Sequence, residues 1–409
     1  MLTLDIYSQI ESKLLDFVGS FDKEKVYIPL LRQGSGMSDG HVSIIWWKNK
    51  GLPLIKERLD HNKKIERLKK NFLEMEAQMK KENKTTISGY RENQREKIVQ
   101  IRNRFFKDPG GGIIGGVAAE FGLKDPWLNL WPGIADDAIV YFLANEIPWW
   151  KAKGETSSND VPSCHLLSSQ VACVNHLYFL RQRQDLATSV LKNIDKRIVS
   201  AEKLGDPDVT SGYVAFEIIG AKNYLKEHSH TRGALSTSID AVMVGRKENG
   251  KNVLFSIEWK YTEMYDRKNV HKDNHDKMYK LLLDEEDCPI QSKIVADNNY
   301  DALYYDPFFQ LMRQTLLSWK MVEAGEYNCD EYIHVHVIPK ENEILRLAIT
   351  SPKLPPTVVG DGMCETWRNL LKEPNRYFVI DPKDLLQPLD NENDTLSLLR
   401  YLKERYWEL

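Results

Sequence analysis

The sequence lacks several features that mark particular classes of protein. No part of the 409-residue sequence approaches the roughly 18 continuous apolar residues of a membrane-spanning helix. The N-terminal segment, 1–17, carries acidic side chains from Asp5 onward and has no apolar core followed by a cleavage site, so we expect no signal peptide. Both absences predict a cytoplasmic protein that does not interact with a membrane.

Cysteine is scarce and scattered along the chain. The five cysteines form no Cys-x-x-Cys pair, and their number is odd. This pattern disfavours both structural zinc and a disulfide framework, and it suits a reducing cytoplasm. The cysteines are Cys164, Cys173, Cys288, Cys329 and Cys364.

An overall excess of positive charge is missing too, because 56 Lys and Arg residues are set against 59 Asp and Glu residues. The formal net charge of −3 weakens an interpretation as a nucleic-acid-binding protein without excluding it, since local charge matters more than the total. Residues 54–107 have a local excess, with 16 Lys and Arg against 8 Asp and Glu. This segment either contacts phosphates non-specifically or is the solvated face of a helix.

The length predicts about two domains, and we place the boundary between 155 and 156. The N-terminal region, 1–155, is predicted to be largely helical or mixed and to serve as a recognition, partner or dimerisation arm. A helical hairpin with a break near 85–89 and a coiled coil both remain open. The coiled-coil spacing is carried by Ile65, Leu68, Phe72, Met75 and Met79.

Two segments are rich in loop-forming residues. Residues 108–116 hold a run of glycines, which favours a turn or flexible joint, with a phosphate cradle as the alternative. Residues 151–162 are polar and are predicted to be a linker.

The region 156–409 is predicted to form an α/β (α+β) domain. Helices over 165–183 and 185–204 precede three strand-like runs near 212–219, 236–246 and 252–262. A polar loop of roughly 40 residues, a helix from Pro307 and a strand over 332–339 follow. Strands grouped between helices predict a mixed central sheet flanked by helices.

The most informative segment is the hairpin around Asn249-Gly250. In its second strand the apolar residues Val253 to Trp259 alternate with a second face that carries Glu258 and Lys260 side by side. A two-residue turn would put Asp240 opposite Trp259, on the wrong face. A three-residue loop, 248–250, with Gly250 left-handed, pairs Asp240 with Glu258 instead, and we predict that register.

Two facing carboxylates repel each other, so they are best tolerated with a cation between them. Mg²⁺ prefers such oxygen ligands and keeps several waters. Lys260 could orient or deprotonate a water or stabilise charge on a phosphate. The alternative is that Glu258 and Lys260 are solvated charges on an exposed strand.

At these residues the sequence resembles the PD-(D/E)XK nuclease superfamily, in which one acid precedes a Glu/Asp-x-Lys motif on the next strand. Asp240 matches the first acid and Glu258-Trp259-Lys260 the second motif, although Ile239 stands where proline is usual. Further matches suggest a bacterial restriction-like subgroup, and the resemblance covers roughly 163–340. They are Ser168-Ser169-Gln170, Glu217, Lys260-Tyr261-Thr262-Glu263, Asp306-Pro307 with the helix after it, and His334-Val335-His336-Val337.

The resemblance implies a restriction-endonuclease-like core and metal-dependent hydrolysis of DNA phosphodiester bonds in restriction or anti-phage defence. Asp240, Glu258 and the carbonyl of Trp259 would bind Mg²⁺, with Mn²⁺ as a substitute. Lys260 would serve the attacking water, and Glu217 and Gln170 would stand at the edge of the site. RNA in place of DNA, a homodimer, a partner from a defence system, and a catalytically silent binding protein on the same fold remain alternatives.

Two His-x-His pairs raise the question of zinc, because a strand places both rings on one face. Only His334 and His336 lie in a clear strand, and no third ligand accompanies either them or His228 and His230. We expect these histidines to be ordinary sheet or loop residues.

Overall fold

The computed structural model describes residues 89–205, 211–233, 235–295 and 300–408, and the backbone of two short strands nearer the N-terminus. Those strands, β1 (Val26–Tyr27) and β2 (His41–Val42), pair antiparallel. The chain divides into two compact units, Met1–Thr86 and Ile87–Leu409. Residues 87–155 therefore lie in the same unit as the residues that follow them. The predicted coiled coil over 65–79 lies outside the described residues.

The second unit contains both strands and helices. Its strands are β3 (Gly112–Ile114), β4 (Val117–Ala119), β5 (Ile198–Glu202), β6 (Ala215–Ile218), β7 (Ile239–Lys247), β8 (Asn252–Trp259), β9 (Glu331–Val337) and β10 (Tyr377–Ile380). Its principal helices are α1 (Gly89–Phe105), α2 (Ala135–Ala144), α3 (Ser169–Leu177), α4 (Gln184–Ile194), α5 (Phe308–Glu323), α6 (Glu343–Leu347), α7 (Met363–Asn369), α8 (Pro382–Leu386) and α9 (Leu396–Leu402).

A mixed six-stranded sheet forms the centre of this unit. Its order is β10-β9-β8-β7-β5, and β6 also pairs with β7. The strand pairs β8–β9 and β9–β10 are parallel, whereas β7 pairs antiparallel with β5, β6 and β8. The predicted mixed sheet flanked by helices is thus confirmed.

The two faces of β8 are buried in two different cores. Val253, Phe255 and Ile257 belong to a core that also contains apolar residues of α3 and α4. Leu254 on the opposite face belongs to a core that contains α5. This division follows from the alternation of side chains along a strand. It leaves the polar residues of β8 facing α5.

Two predicted helices are wrong in their extent. The helix expected over 165–183 is α3 followed by a 3-10 turn, Tyr178–Gln182. The helix expected over 185–204 ends at Ile194, and the chain continues into β5. The β-branched pair Ile198-Val199 favours a strand, and β5 hydrogen-bonds to β7.

The predicted helix after Asp306 begins one residue later than expected, at Phe308. Pro307 occupies the position before the helix and makes no side-chain capping bond, whereas the backbone N–H of Gln310 hydrogen-bonds to the Asp306 carboxylate. The predicted strand over 332–339 corresponds to β9. Residues beyond 340, for which we predicted no individual elements, add β10 as a further parallel strand and the helices α6 to α9.

The glycine-rich segment forms an ordered hairpin. Strands β3 and β4 pair antiparallel, and Gly115 and Gly116 at the turn between them have φ values of +66° and +79°. Asp108 precedes the hairpin and accepts hydrogen bonds from three backbone N–H groups. The prediction of a turn is therefore confirmed. The strand pairing and the hydrogen bonds to Asp108 do not fit a flexible joint.

No helix in the described part of the chain has both the length and the apolar character needed to cross a membrane.

Candidate active site

The β7–β8 hairpin has the register that the sequence predicts. Ala241 pairs with Ile257, and the N–H of Lys247 donates to the carbonyl of Lys251 over 2.9 Å. Gly250 has a φ of +82°, which completes the three-residue loop. One further step along this register places Asp240 opposite Glu258. The two carboxylates thus lie on the same face of the sheet.

Helix α5 runs across that face. It contacts Ser256 and Glu258 of β8 and Lys260, which follows the end of the strand. Lys260 Nζ donates to Gln310 Oε1 over 2.7 Å, Gln314 Nε2 donates to Glu258 Oε2, and a hydroxyl–hydroxyl bond of 2.7 Å joins Ser318 to Ser256. Four residues of a helix advance about as far as two residues of a strand. The matching repeats therefore hold the polar face of β8 in place.

Glu258 and Lys260 form a buried ion pair. Lys260 Nζ lies 2.5 Å from Glu258 Oε1, and the two side chains are 6% and 1% exposed. Burial alone would lower the pKa of Lys260, but the charge of Glu258, aided by Tyr265, Glu263 and Asp240, raises it well above its ordinary value. In this arrangement Lys260 is a stable ammonium ion. The expectation that it deprotonates water receives no support from this geometry.

Asp240 is held by the backbone of the neighbouring strand. Its Oδ2 accepts a hydrogen bond from the N–H of Trp259 over 2.7 Å. Burial raises the pKa of Asp240 well above its ordinary value, and the negative charges of Glu258 and Glu217 raise it further. The ionised carboxylate is therefore under electrostatic strain that a nearby cation would relieve.

Glu217 and Gln170 form a support behind the carboxylates. Glu217 is 2% exposed, and it accepts hydrogen bonds from Trp150 Nε1 (3.0 Å), Gln170 Nε2 (2.8 Å) and Ser238 Oγ (2.9 Å). Burial raises the pKa of Glu217 in spite of these donors. Glu217 also has a left-handed backbone, with a φ of +52°, which few non-glycine residues adopt.

These residues surround one cleft of about 710 Å³. Asp240, Glu258, Trp259, Lys260 and Gln170 all line it, and Glu217 reaches it through Gln170 and Ser238. The basic side chains along the walls are Arg91, Lys151, Lys153 and Arg313. Asp240 and Glu258 thus form an acidic floor of the cleft, and the four basic side chains form its walls.

The candidate metal ligands are few. Within the described ranges no group of three or more His, Cys, Asp or Glu side chains could hold a metal ion. Asp240 and Glu258, with the Trp259 carbonyl, remain the candidate set. Glu258 Oε1 is buried and receives no hydrogen bond of good geometry, although Lys260 lies close to it.

The histidine pair of β9 lies beside this set, because His336 pairs with Glu258 in the β8–β9 register. His334 and His336 are buried in β9, and burial, with the charge of Lys260, lowers the pKa of His334 to about 3. His336 Nδ1 shares a 2.7 Å hydrogen bond with Tyr377 OH. His230 Nε2 bonds to the carbonyl of Gly220 over 3.0 Å. These contacts give the histidines structural roles.

Three residues of α5 that the sequence analysis does not identify belong to the site. Gln310 and Gln314 bond to Lys260 and Glu258, and Arg313 lines the same cleft. Their spacing places them on one side of a helix. That spacing was readable from the sequence, but it does not tell which strand the helix covers.

The geometry accords with the comparison to known families. The model of a family described as "Restriction Endonuclease associating with ARP" matches residues 102–407, which is more than half of the chain. No curated protein and no solved structure matches the chain. The expected restriction-endonuclease-like family is therefore confirmed. The chain belongs to the family of restriction endonucleases associating with ARP.

Proposed function

We propose that this chain is a metal-dependent endonuclease that hydrolyses DNA phosphodiester bonds in the cleft floored by Asp240 and Glu258. The observation that carries the proposal is that two carboxylates and one ammonium group line the same cleft, in a chain of a restriction-endonuclease family. RNA remains the alternative substrate, since no described contact distinguishes the two sugars.

The residues present fit a magnesium ion by their chemistry. Two carboxylates and one carbonyl leave room for the several waters that Mg²⁺ retains. The buried Glu258 Oε1 lacks a well-aligned donor, and the pKa of Asp240 is raised by burial and by its acidic neighbours. Asp240, Glu258 and the Trp259 carbonyl would hold the ion. When bound, Mg²⁺ or Mn²⁺ supplies polarisation of the scissile phosphate and a water of lowered pKa.

Lys260 would act through its charge. Because the ion pair with Glu258 keeps it protonated, we assign it the orientation of the attacking water and the stabilisation of negative charge on the phosphate. Gln310 holds the ammonium group from the side of α5. This role needs no proton transfer from water to Lys260.

The walls of the cleft would bind the sugar–phosphate backbone. Arg91 and Lys153 are exposed side chains that line it, and such cations bind phosphates largely without regard to base sequence. Lys151 is less available, because its Nζ donates to Ser157 Oγ and to two backbone carbonyls. The substrate would thus lie between these walls with its scissile phosphate over the acidic floor.

We also propose that the nuclease acts in restriction or anti-phage defence. The family description names an association with ARP, so we propose that such a partner delivers or activates the nuclease. A chain that cuts only in the presence of its partner would be the gated form of the same enzyme.

The test is plasmid cleavage by the full chain with Mg²⁺, with Mn²⁺ and with EDTA, in the presence and absence of the partner. Asp240→Ala and Lys260→Met are assayed beside it, and Arg197→Gln, at a paired surface arginine outside the cleft, is the matched control. We expect metal-dependent cutting that is lost in the first two variants and retained in the third.

Two outcomes would overturn the proposal. Cutting that persists in EDTA or in Asp240→Ala would locate the activity elsewhere. DNA binding without cutting in any metal, with the partner present, would favour a silent binding protein on this fold.

A further inference from the structure

Arg313 occupies a distinctive position beside the acidic floor. It lies on α5 between Gln310 and Gln314, which contact Lys260 and Glu258. Its guanidinium group packs over the ring of Phe309 at 4.6 Å from the ring centre. The side chain lines the cleft and is 24% exposed. The guanidinium group of Arg313 is thus held by α5 close to the residues that contact Lys260 and Glu258.

The carboxylate nearest to Arg313 does not depend on it. Glu227 accepts hydrogen bonds from the N–H and Oγ1 of Thr237, both 2.6 Å, and from Tyr279 OH at 2.7 Å. Arg313 Nη1 lies 3.9 Å from Glu227, beyond hydrogen-bond distance. Glu227 and the Tyr279 hydroxyl therefore lie beside the guanidinium group, whose Nε keeps capacity for another anion.

Unused donors occur on the same wall of the cleft. Arg313 Nη1 donates to Thr237 Oγ1 over 3.2 Å, but Arg313 Nε is buried with no partner, and so is Ser236 Oγ. Ser236, Thr237 and Arg313 all line the cleft. Both donors are buried, so a phosphate would reach them after a small rotation of either side chain toward the cleft. It would then satisfy donors that are costly to leave unpaired.

We propose that Arg313 and Ser236 form a second phosphate subsite, which binds a nucleic-acid backbone phosphate next to the scissile one. This inference rests on the proposed function and adds the residues that position the nucleic-acid strand in the cleft. The planar fork of an arginine suits the oxygens of a phosphate. The side chain of Ser236 contributes a neutral donor, and Phe309 and Glu227 keep the guanidinium group in its orientation.

The test measures binding rather than cutting. A fluorescently labelled DNA duplex is titrated with the full chain in EDTA, at several salt concentrations, for the parent, Arg313→Gln and Arg197→Gln. We expect Arg313→Gln to weaken binding about tenfold or more and to reduce the slope of log K against log salt by about 0.9, the value for one lost phosphate contact. Arg197→Gln, which removes the same charge from a surface pair outside the cleft, should leave both unchanged.

Three further variants separate the subsite from a folding defect. Arg313→Lys, which keeps the charge, should retain the salt slope and lose only part of the affinity. Glu227→Gln should bind more tightly, because a negative charge beside the guanidinium is removed. Ser236→Ala should weaken binding severalfold without changing the salt slope, because a neutral donor is lost.

The outcomes also distinguish this inference from the proposed function. Unchanged affinity and slope in Arg313→Gln, in a parent that binds and cuts DNA, would overturn the subsite and leave the nuclease assignment intact. A parent that binds no duplex at any salt concentration, even with the partner present, would overturn both the subsite and DNA as the substrate.

Discussion

Gln310 Oε1 accepts a hydrogen bond from Lys260 Nζ over 2.7 Å. The same oxygen accepts from Tyr265 OH over 3.0 Å, so one side chain of α5 serves two donors. Lys260 consequently has fixed partners on two sides, Gln310 from the helix and Glu258 from its own strand. The position of the ammonium group thus depends on how α5 packs against the sheet.

Replacement of Gln310 should impair catalysis more than binding. In Gln310→Leu the ammonium group loses a charged hydrogen bond, of a kind that contributes about 1.5–3 kcal/mol, and we expect cleavage to slow about tenfold or more. Affinity for DNA in EDTA should stay within about twofold. The matched control is Tyr265→Phe, which removes the other donor and leaves the contact with Lys260. Equal losses in both variants would argue against a specific effect on Lys260.

Replacement of Asp240 should stabilise the metal-free protein. Burial and the charges of Glu258 and Glu217 raise the pKa of Asp240, so its ionised form is unfavourable without a cation. We expect Asp240→Asn to raise the melting temperature in EDTA by about 2 °C or more. We also expect loss of the rise that excess Mg²⁺ produces in the parent through binding to the folded state. A lower melting temperature in EDTA would contradict this interpretation.

Glu217 should behave as a supporting residue. Glu217→Leu leaves Trp150 Nε1, Gln170 Nε2 and Ser238 Oγ without their acceptor, and we expect the free energy of unfolding to fall by about 2–4 kcal/mol. Urea denaturation measures this change, and Glu96→Leu at an exposed position of α1 is the control. The melting temperature of the variant should still rise with Mg²⁺. Loss of that response would make Glu217 part of the metal site.

Asp108 should make stability depend on acid pH. Burial raises the pKa of its carboxyl, but the N–H groups of Lys124, Asp125 and Gly110, with the charge of Arg102, outweigh burial and lower it. A lowered pKa contributes stability that is complete above the unfolded value of about 3.9 and is lost as the pH falls through the folded value.

The variant Asp108→Asn tests this dependence. We expect its free energy of unfolding to be about 1–2 kcal/mol below that of the parent at neutral pH. The difference should shrink below about pH 4, where the carboxyl of the unfolded parent begins to take up its proton. Urea denaturation at a series of pH values measures it. A difference that does not change with pH would show that the charge of Asp108 is unimportant.

The hairpin that carries the candidate site was predictable because its determinants are local. Asn249-Gly250 marks the turn, and the alternation of apolar and polar residues along β8 assigns Glu258 and Lys260 to one face. Register then followed from which loop length places Asp240 on that same face. The observed pairing of Ala241 with Ile257 agrees.

Other elements depend on distant partners and were harder to predict. β5 follows α4 after only three residues. Its first and last residues are defined by its pairing with β7. β10 pairs with β9 from more than 30 residues further along the chain. Local propensity carries little information about such contacts.

Strand alternation and turn chemistry act over a few residues. For that reason the fold class, the register of the β7–β8 hairpin and the shared face of Asp240, Glu258 and Lys260 could be predicted from the sequence. The position of α5 over that face, the contacts of Gln310 and Gln314 with the ion pair, and the place of Glu217 behind Gln170 and Ser238 depend on tertiary packing. Those contacts join segments 21 to 56 residues apart, and they form because buried charged and polar groups must find partners wherever the packed core brings them.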